Sequence, residues 1–263
     1  MGKIDIYDLI EKNLETPRKQ DRRERDANDR KTYDEVFDQA TLLVISKLIS
    51  NKFIHTVDYP VSSGKEANIF KGTKPDGTPI ALKIYRMATA TFKNIVRYID
   101  GDRRFIHMRH DHRSIIFAWA KKEYKNLLLM IEAGLRVPKP IVYRKNILIM
   151  EFIGDNEFPA PELRMVKINK PAARYKNLIS EIKKLYSKVG LVHGDFSEYN
   201  ILVNDDELVV IDVGQAVFHN HPIAFELLKY DIINISNYFN KTYNTKVDVK
   251  KTLSEIISSR EDE

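Results

Sequence analysis

The chain has no cysteine among its 263 residues, which excludes disulfide staples, thiolate nucleophiles and cysteine-ligated metals. Glycine and proline are sparse, at 10 residues each, so a collagen-like or low-complexity chain is excluded too. No run of 18 apolar residues occurs, and the apolar stretches are as short as Ile147–Met150. The opening Met1-Gly2-Lys3-Ile4-Asp5 leads into charge and not into a signal core, so the expectation is a soluble, cytoplasmic protein with no membrane partner. What is present is a real core, with 43% hydrophobic residues, enough for one large domain or two modest lobes sharing a cleft. Lys and Arg number 43 against 37 Asp and Glu, a net charge of +6, which suits an anionic ligand such as a nucleotide and leaves RNA contact open.

Along the chain the pattern changes twice. Residues 4–14 predict a short amphipathic helix, residues 17–31 a polar stretch with seven basic and four acidic side chains, and Tyr33–Ser50 a second helix. Residues 1–52 therefore read as an N-terminal helical extension. From residue 53 to residue 152 hairpins dominate. Ala67–Lys71 and Pro79–Ile84 flank Pro75-Asp76-Gly77, and Ile141–Tyr143 and Ile147–Ile153 flank Arg144-Lys145-Asn146. Between them lies a predicted helix over Ser114–Ala133, with Ser114 as its N-cap, whereas residues 86–113 show no period and read as a long loop. Residues 153–263 are mainly helical, with helices over Ala172–Val189 (stopped by Gly190), Pro222–Asn240 and Val247–Ser258, and one hairpin between Ile201 and Ile211. The fold class is α+β, a small strand-rich lobe followed by a helix-rich one.

Four stretches carry chemistry. In His193-Gly194-Asp195-Phe196-Ser197-Glu198-Tyr199-Asn200, followed by a hairpin and Ile211-Asp212-Val213-Gly214, the hairpin's return brings Asn200 and Asp212 to one site. An amide oxygen and a carboxylate are hard ligands suited to Mg²⁺ shared with phosphates, which leaves Asp195 to orient or deprotonate an attacking hydroxyl. Lys83 sits in the apolar strand Ile80–Ile84, and Glu123 falls on the buried stripe Ile116, Ala120, Glu123, Leu127, Met130. A carboxylate there needs a partner, and a strand lysine aimed at phosphates supplies one; a pair at the domain edge is the plainer alternative. Ser62, Ser63, Gly64 and Lys65 form a turn able to close over phosphates, and by themselves read equally as an ordinary hairpin turn. Met150, Glu151 and Ile153 leave the first lobe on a strand whose edge offers a C=O and an N–H to an adenine, or simply link two lobes. His107, His110 and His112 read as loop histidines more readily than as metal ligands. Asp231, set among apolar residues, could brace the catalytic loop.

These stretches occur in protein-kinase order: phosphate loop, strand lysine, helix glutamate, hinge, catalytic loop, metal aspartate. Ser63-Gly64-Lys65-Glu66-Ala67, His193 to Asn200 and Ile211-Asp212-Val213-Gly214-Gln215 closely resemble the RIO family of atypical serine/threonine protein kinases, and the N-terminal helices resemble its first, Rio-one, subgroup in archaeal form. The resemblance implies a two-lobed kinase-like fold with a reduced helical C-lobe, and ATP with Mg²⁺ (or Mn²⁺) as cofactors. It makes Asp195 the catalytic aspartate, Asn200 and Asp212 the metal ligands, and Lys83 and Glu123 the phosphate-contacting pair. Ser62 to Lys65 would cover the triphosphate, Met150 would be the gatekeeper, and the Glu151 C=O and Ile153 N–H would meet the adenine. It further implies a protein substrate or the protein itself as acceptor, with Ser114 a candidate site of self-phosphorylation. ATPase turnover through phosphate on Asp212 and a link to the small-ribosomal-subunit precursor and its rRNA also follow. Gly194 replaces the arginine of ordinary kinases, only 51 residues follow Asp212, and no Ala-Pro-Glu appears, so a conventional peptide groove is not expected. Two other readings are a small-molecule phosphotransferase of the aminoglycoside-kinase kind, which also carries His-Gly-Asp, and a nucleotide-switched pre-ribosome binding factor, for which the pI of 9.2 speaks.

Overall fold

A computed structural model describes residues 37–87 and 92–261. The predicted helices before residue 37 lie outside them. The chain divides into two compact units: the described residues up to Lys93 with Arg109–Lys121 and Pro140–Phe152, and Asn94–Met108 with Lys122–Lys139 and Ile153 onward.

The first unit is built on a five-stranded antiparallel sheet, ordered β1-β2-β3-β5-β4, from β1 (Thr56–Ser63), β2 (Ala67–Thr73), β3 (Pro79–Tyr85), β4 (Pro140–Arg144) and β5 (Ile147–Glu151). The two predicted hairpins form as their turn chemistry dictates, with Gly77 at φ +83° and Lys145 at φ +52°. Helix α1 (Gln39–Ser50) covers the sheet, and Leu42, Ile45 and Leu48 join Phe70, Leu82, Ile84, Ile147 and Ile149 in one buried cluster. The helix starts later than the periodicity suggested, because Asp38 accepts the Thr41 N–H at 2.7 Å and caps it. Phe37 is therefore outside the helix and packs instead on Phe70, ring centroids 5.1 Å apart. Buried Asn146 ties the β4–β5 turn to this layer, donating to Thr41 Oγ1 at 2.9 Å and to Tyr85 O at 3.1 Å.

The expected loop over residues 86–113 holds regular structure, which corrects the sequence reading. Helix α2 (Phe92–Ile99) buries Ile95 and Ile99 four residues apart, too short a repeat to stand out in a charged segment. A 3₁₀ turn, Arg103–Phe105, follows under an Asp102 cap. Helix α3 (His112–Glu132) begins ahead of Ser114, whose N–H and hydroxyl both donate to Asp111, at 3.0 and 2.7 Å, so Asp111 and not Ser114 caps this end.

The second unit has helix α4 (Pro171–Lys184), which continues through a π turn (Leu185–Val189) to Gly190 at φ +70°. Helices α5 (Ala224–Tyr243) and α6 (Val249–Glu261) complete its helical part. Tyr175 of α4 packs on Phe239 of α5, centroids 5.4 Å apart, and shares a 2.8 Å hydrogen bond with Ser236. The strands are short: β6 (Leu191–Val192) pairs with β9 (Val217–Phe218), and β7 (Ile201–Asn204) with β8 (Glu207–Val210). Both pairs lie beside the loops described next.

Candidate active site

The His193–Asn200 loop begins where β6 ends, and each sharp feature has a local cause. Gly194 adopts φ +85°, and a Cβ there would meet Leu227 Cδ1 at 3.2 Å, so any side chain at this position would be strained. The buried Asp231 of α5 accepts both the Gly194 N–H (2.9 Å) and the Phe196 N–H (2.8 Å), gripping the backbone on either side of Asp195. This is the bracing contact expected of Asp231. Burial pushes its carboxyl up to about 7, with the two N–H donors pulling it back. His193 is buried against the same loops, its Nε2 3.2 Å from Ile211 O and its ring edge-on to Phe196.

Asn200 donates to Asp195 twice, to its backbone oxygen at 2.9 Å and to Oδ2 at 2.8 Å. With the amide nitrogen engaged there, the amide oxygen is left to accept. The β7–β8 hairpin closes with Ile211 N–H donating to Asn200 O at 2.9 Å, so the hairpin sets Asn200 beside the strand that delivers Asp212, as its return implied. Burial lifts the Asp195 carboxyl above its usual range; the Asn200 hydrogen bond opposes this and the charge of Asp212 adds to it. Asp212 is exposed and left-handed, at φ 57°, ψ 60°. Asn200 precedes this hairpin and Asp212 follows it; an amide oxygen and a carboxylate are hard donors, a set whose chemistry fits a small divalent cation that takes its other ligands from water and phosphate.

The first unit holds most of the rest of the predicted set. Lys83 is buried on β3, its Nζ 5.5 Å from the Tyr85 ring. Ser62 and Ser63 end β1, with Gly64 and Lys65 in the exposed turn after them. The Ser63 hydroxyl donates to Asn68 Oδ1 (3.1 Å) and accepts from Arg86 Nη2 (3.2 Å), so it acts as a strut inside the turn. Met150 is buried on β5, where it faces Ala81 of β3, and Glu151 ends the strand opposite Ile80. In the second unit, Glu123 is 1% exposed on α3, and Ile153 is buried, with its C=O accepting from Ala160 N–H at 2.9 Å.

Sequence reasoning missed a second polar cluster. Lys122 and Asn126 of α3 are fully buried against the turn after Asp212, and Arg104 reaches Asn126 Oδ1 at 2.9 Å. Arg104 is itself forked on Asp102, which burial works to raise but which the guanidinium holds below the usual carboxylate range. Burial, with Arg104 adding, pushes the Lys122 ammonium down to about 7, against the pull of Asp102. The signal was a polar pair on the apolar row Trp119, Lys122, Asn126, Met130.

Residues 68–252 match the RIO domain. The chain is 41% identical over 217 residues to the RIO-type serine/threonine-protein kinase Rio1 of Haloferax volcanii, covering 82% of this chain and 74% of that one. Against the Rio1 of Methanocaldococcus jannaschii it is 43% identical over 213 residues, covering 81% and 73%. It is 35% identical over 253 residues to the serine/threonine-protein kinase RIO1 of Caenorhabditis elegans, covering 94% of this chain but only half of that longer protein. Among solved structures, the Rio2 kinase of Chaetomium thermophilum superposes with a TM-score of 0.62 at 24% identity, over 81% of this chain and 66% of that one. The ADP/Mg²⁺-phosphoaspartate complex of the same kinase gives 0.61 at 24%, over 81% and 65%. The α+β, kinase-like fold is thus shared with Rio2. Among the described residues no helix is long and apolar enough to cross a membrane.

Proposed function

The chain belongs to the RIO domain family, and from that membership we propose that it is an atypical serine/threonine protein kinase that uses ATP and Mg²⁺ and phosphorylates protein, itself included. The observation that carries this reading is the orientation of Asp195: Asp231 grips the backbone on both sides of it while Asn200 holds its Oδ2. A carboxylate fixed in this way accepts the proton of an attacking hydroxyl, whose oxygen forms the new P–O bond as the bond to ADP breaks. Its raised affinity for a proton suits that task. Asn200 and Asp212 would hold Mg²⁺, which neutralises phosphate charge when bound. Lys83 and Glu123 serve the phosphates in this reading, Ser62 to Lys65 cover them, and Met150, Glu151 and Ile153 receive the adenine.

A second reading is ATP hydrolysis through a phosphate carried briefly on Asp212. The Rio2 complex with phosphoaspartate supports it, since that relative's fold holds such a group. Exposure of Asp212 supports it as well, because an exposed carboxylate can act as the nucleophile on the γ-phosphorus while ADP leaves. The basic surplus supports a pre-ribosomal RNA or protein partner for either activity.

The test uses γ-labelled ATP with Mg²⁺, following free phosphate and protein-bound label together. Asp195→Asn should lower turnover by about 10²–10⁴-fold with ATP affinity nearly unchanged; comparable turnover in the variant refutes the role of Asp195. Acid-stable label favours Ser/Thr transfer, whereas free phosphate with only a hydroxylamine-sensitive label favours hydrolysis through Asp212.

A further inference from the structure

Asp212 occupies a left-handed conformation that a residue with a Cβ adopts only against strain, and such strain persists only where neighbours over-determine it. The hairpin hydrogen bond fixes the chain just before Asp212. Just after it comes the 3₁₀ turn Val213–Gln215, whose Val213 and Gly214 carbonyls face α3. Lys122 Nζ donates to Gly214 O at 2.8 Å and to Ala216 O. Asn126 Nδ2 donates to Val213 O at 2.8 Å and to Ala216 O at 3.3 Å. Three of the four residues after Asp212 therefore give their carbonyls to two fully buried side chains. The orientation of the Asn126 amide is itself fixed, because Arg104 Nη1 donates to its oxygen and turns the nitrogen to the turn. Arg104 in turn is locked by the Asp102 fork and by Phe218, 4.7 Å beneath its guanidinium. An ammonium buried this deeply is a poor core filler, since an apolar side chain of similar length would pack there without the desolvation penalty. Backbone carbonyls at fixed places are what it is suited to hold.

We propose that Lys122 and Asn126 are positioning residues that clamp the turn after Asp212 and so hold its carboxylate in the conformation that ligates the metal. The proposal rests on the assignment of Asp212 to Mg²⁺ made above. It extends the metal site one layer inward, to α3 and, through Arg104, to the segment Asp102–Phe105.

The test compares wild type with Lys122→Met, Asn126→Ala and Asp212→Asn by two readouts that need no turnover. One is amide hydrogen exchange at Val213–Val217 in the nucleotide-free protein. The other is the ratio of ADP affinity with Mg²⁺ to that in EDTA. Lys122→Met and Asn126→Ala should each speed exchange at Val213–Val217 and cut the Mg²⁺ enhancement by about 10–100-fold, the effect of losing groups that support metal ligands. Affinity in EDTA and exchange in the α5 core, Ile232–Phe239, should stay as in wild type. An enhancement and local exchange within about twofold of wild type in either variant overturn the clamp. Should α5 protection collapse in Lys122→Met, Asn126→Ala decides alone, since it removes no buried charge. A wild type with no Mg²⁺ enhancement, or an Asp212→Asn variant that keeps it, would instead sink the metal assignment itself.

Discussion

Asp231→Asn separates the two things that a buried carboxylate does here. Asp231 accepts two backbone N–H groups, and burial raises its carboxyl from 3.8 in the unfolded chain to about 7 in the folded one. A folded-state value above the unfolded one means that stability is fully present at low pH and is lost as pH rises from the unfolded value through the folded one. Between pH 5 and pH 8 the unfolded chain is ionised throughout, and the folded one gives up its proton near pH 7. At about 1.4 kcal/mol per unit over about two units, the loss attributable to Asp231 is about 3 kcal/mol. Asn cannot ionise, so the difference in stability between variant and wild type should shift by that amount in the variant's favour from pH 5 to pH 8. Urea unfolding at both pH values measures it; titrating groups remote from Asp231 cancel in the comparison, whereas Asp195, whose charge acts on Asp231, contributes a smaller difference of its own. Function should go the other way. The amide offers one acceptor where the carboxylate offered two, so Gly194 or Phe196 loses its partner and Asp195 its fixed placement. Turnover should fall at least about tenfold. An identical pH dependence of stability in the two proteins would refute the buried-acid argument, and turnover within twofold would refute the bracing argument.

Other perturbations follow from the same kind of reasoning. Glu181 of α4 has a buried Oε2 without a hydrogen-bond partner, and burial pushes its carboxyl up to about 7, with Lys184 opposing. Wild type should lose stability from this group as pH rises from about 4.5 to 7, and Glu181→Gln should remove about 2 kcal/mol of that loss, after allowance for partial exposure, in the same urea series. Gly154 sits at φ +149°, and a Cβ there would lie 2.3 Å from Phe158 O and 2.8 Å from Ala160 N, both backbone atoms that cannot swing away. Gly154→Ala should therefore cost about 2–4 kcal/mol and lower Tm by roughly 6–12 °C in calorimetry; an unchanged Tm would mean that the Asp155–Phe158 turn yields freely.

The legible parts of the fold were those with local chemical causes. Turn residues with positive φ, Gly77, Lys145 and Asp205, sit in the hairpin turns that the sequence marked. Gly190 stops the Ala172–Val189 helix where its left-handed conformation ends the hydrogen-bond run. The misplaced helix starts had a local cause as well, but a competing one. Apolar spacing pointed to Tyr33 and to Ser114, whereas the side chains that take the first N–H groups are Asp38 and Asp111, and the capping bond outweighs the apolar periodicity at a terminus. Helix α2 was lost because the seven basic side chains of residues 86–113 mask its short apolar pattern, of which Ile95 and Ile99 are buried.

In the site, the asymmetry lies in what each residue's partner is. The nearness of Asp195, Asn200 and the strand leading to Asp212 was legible because their partners are near in sequence or delivered by a two-strand hairpin. Asp231 was legible because a carboxylate among apolar neighbours demands donors, and the catalytic loop's backbone supplies two. Lys122 answers the opposite demand. It needs acceptors, and those it finds are backbone carbonyls about 90 residues later, which every residue possesses and no sequence marks. A lysine on a helix is ordinarily assigned to water, and the stripe through Glu123 already gave α3 a buried face. The helix in fact buries a wider arc, reaching Lys122 and Asn126, because that side is covered by the turn that follows Asp212. Two long polar residues at helical spacing with an aromatic and a methionine are therefore the pattern that betrays a helix clamping another segment's backbone. In this chain that pattern points from α3 to Asp212.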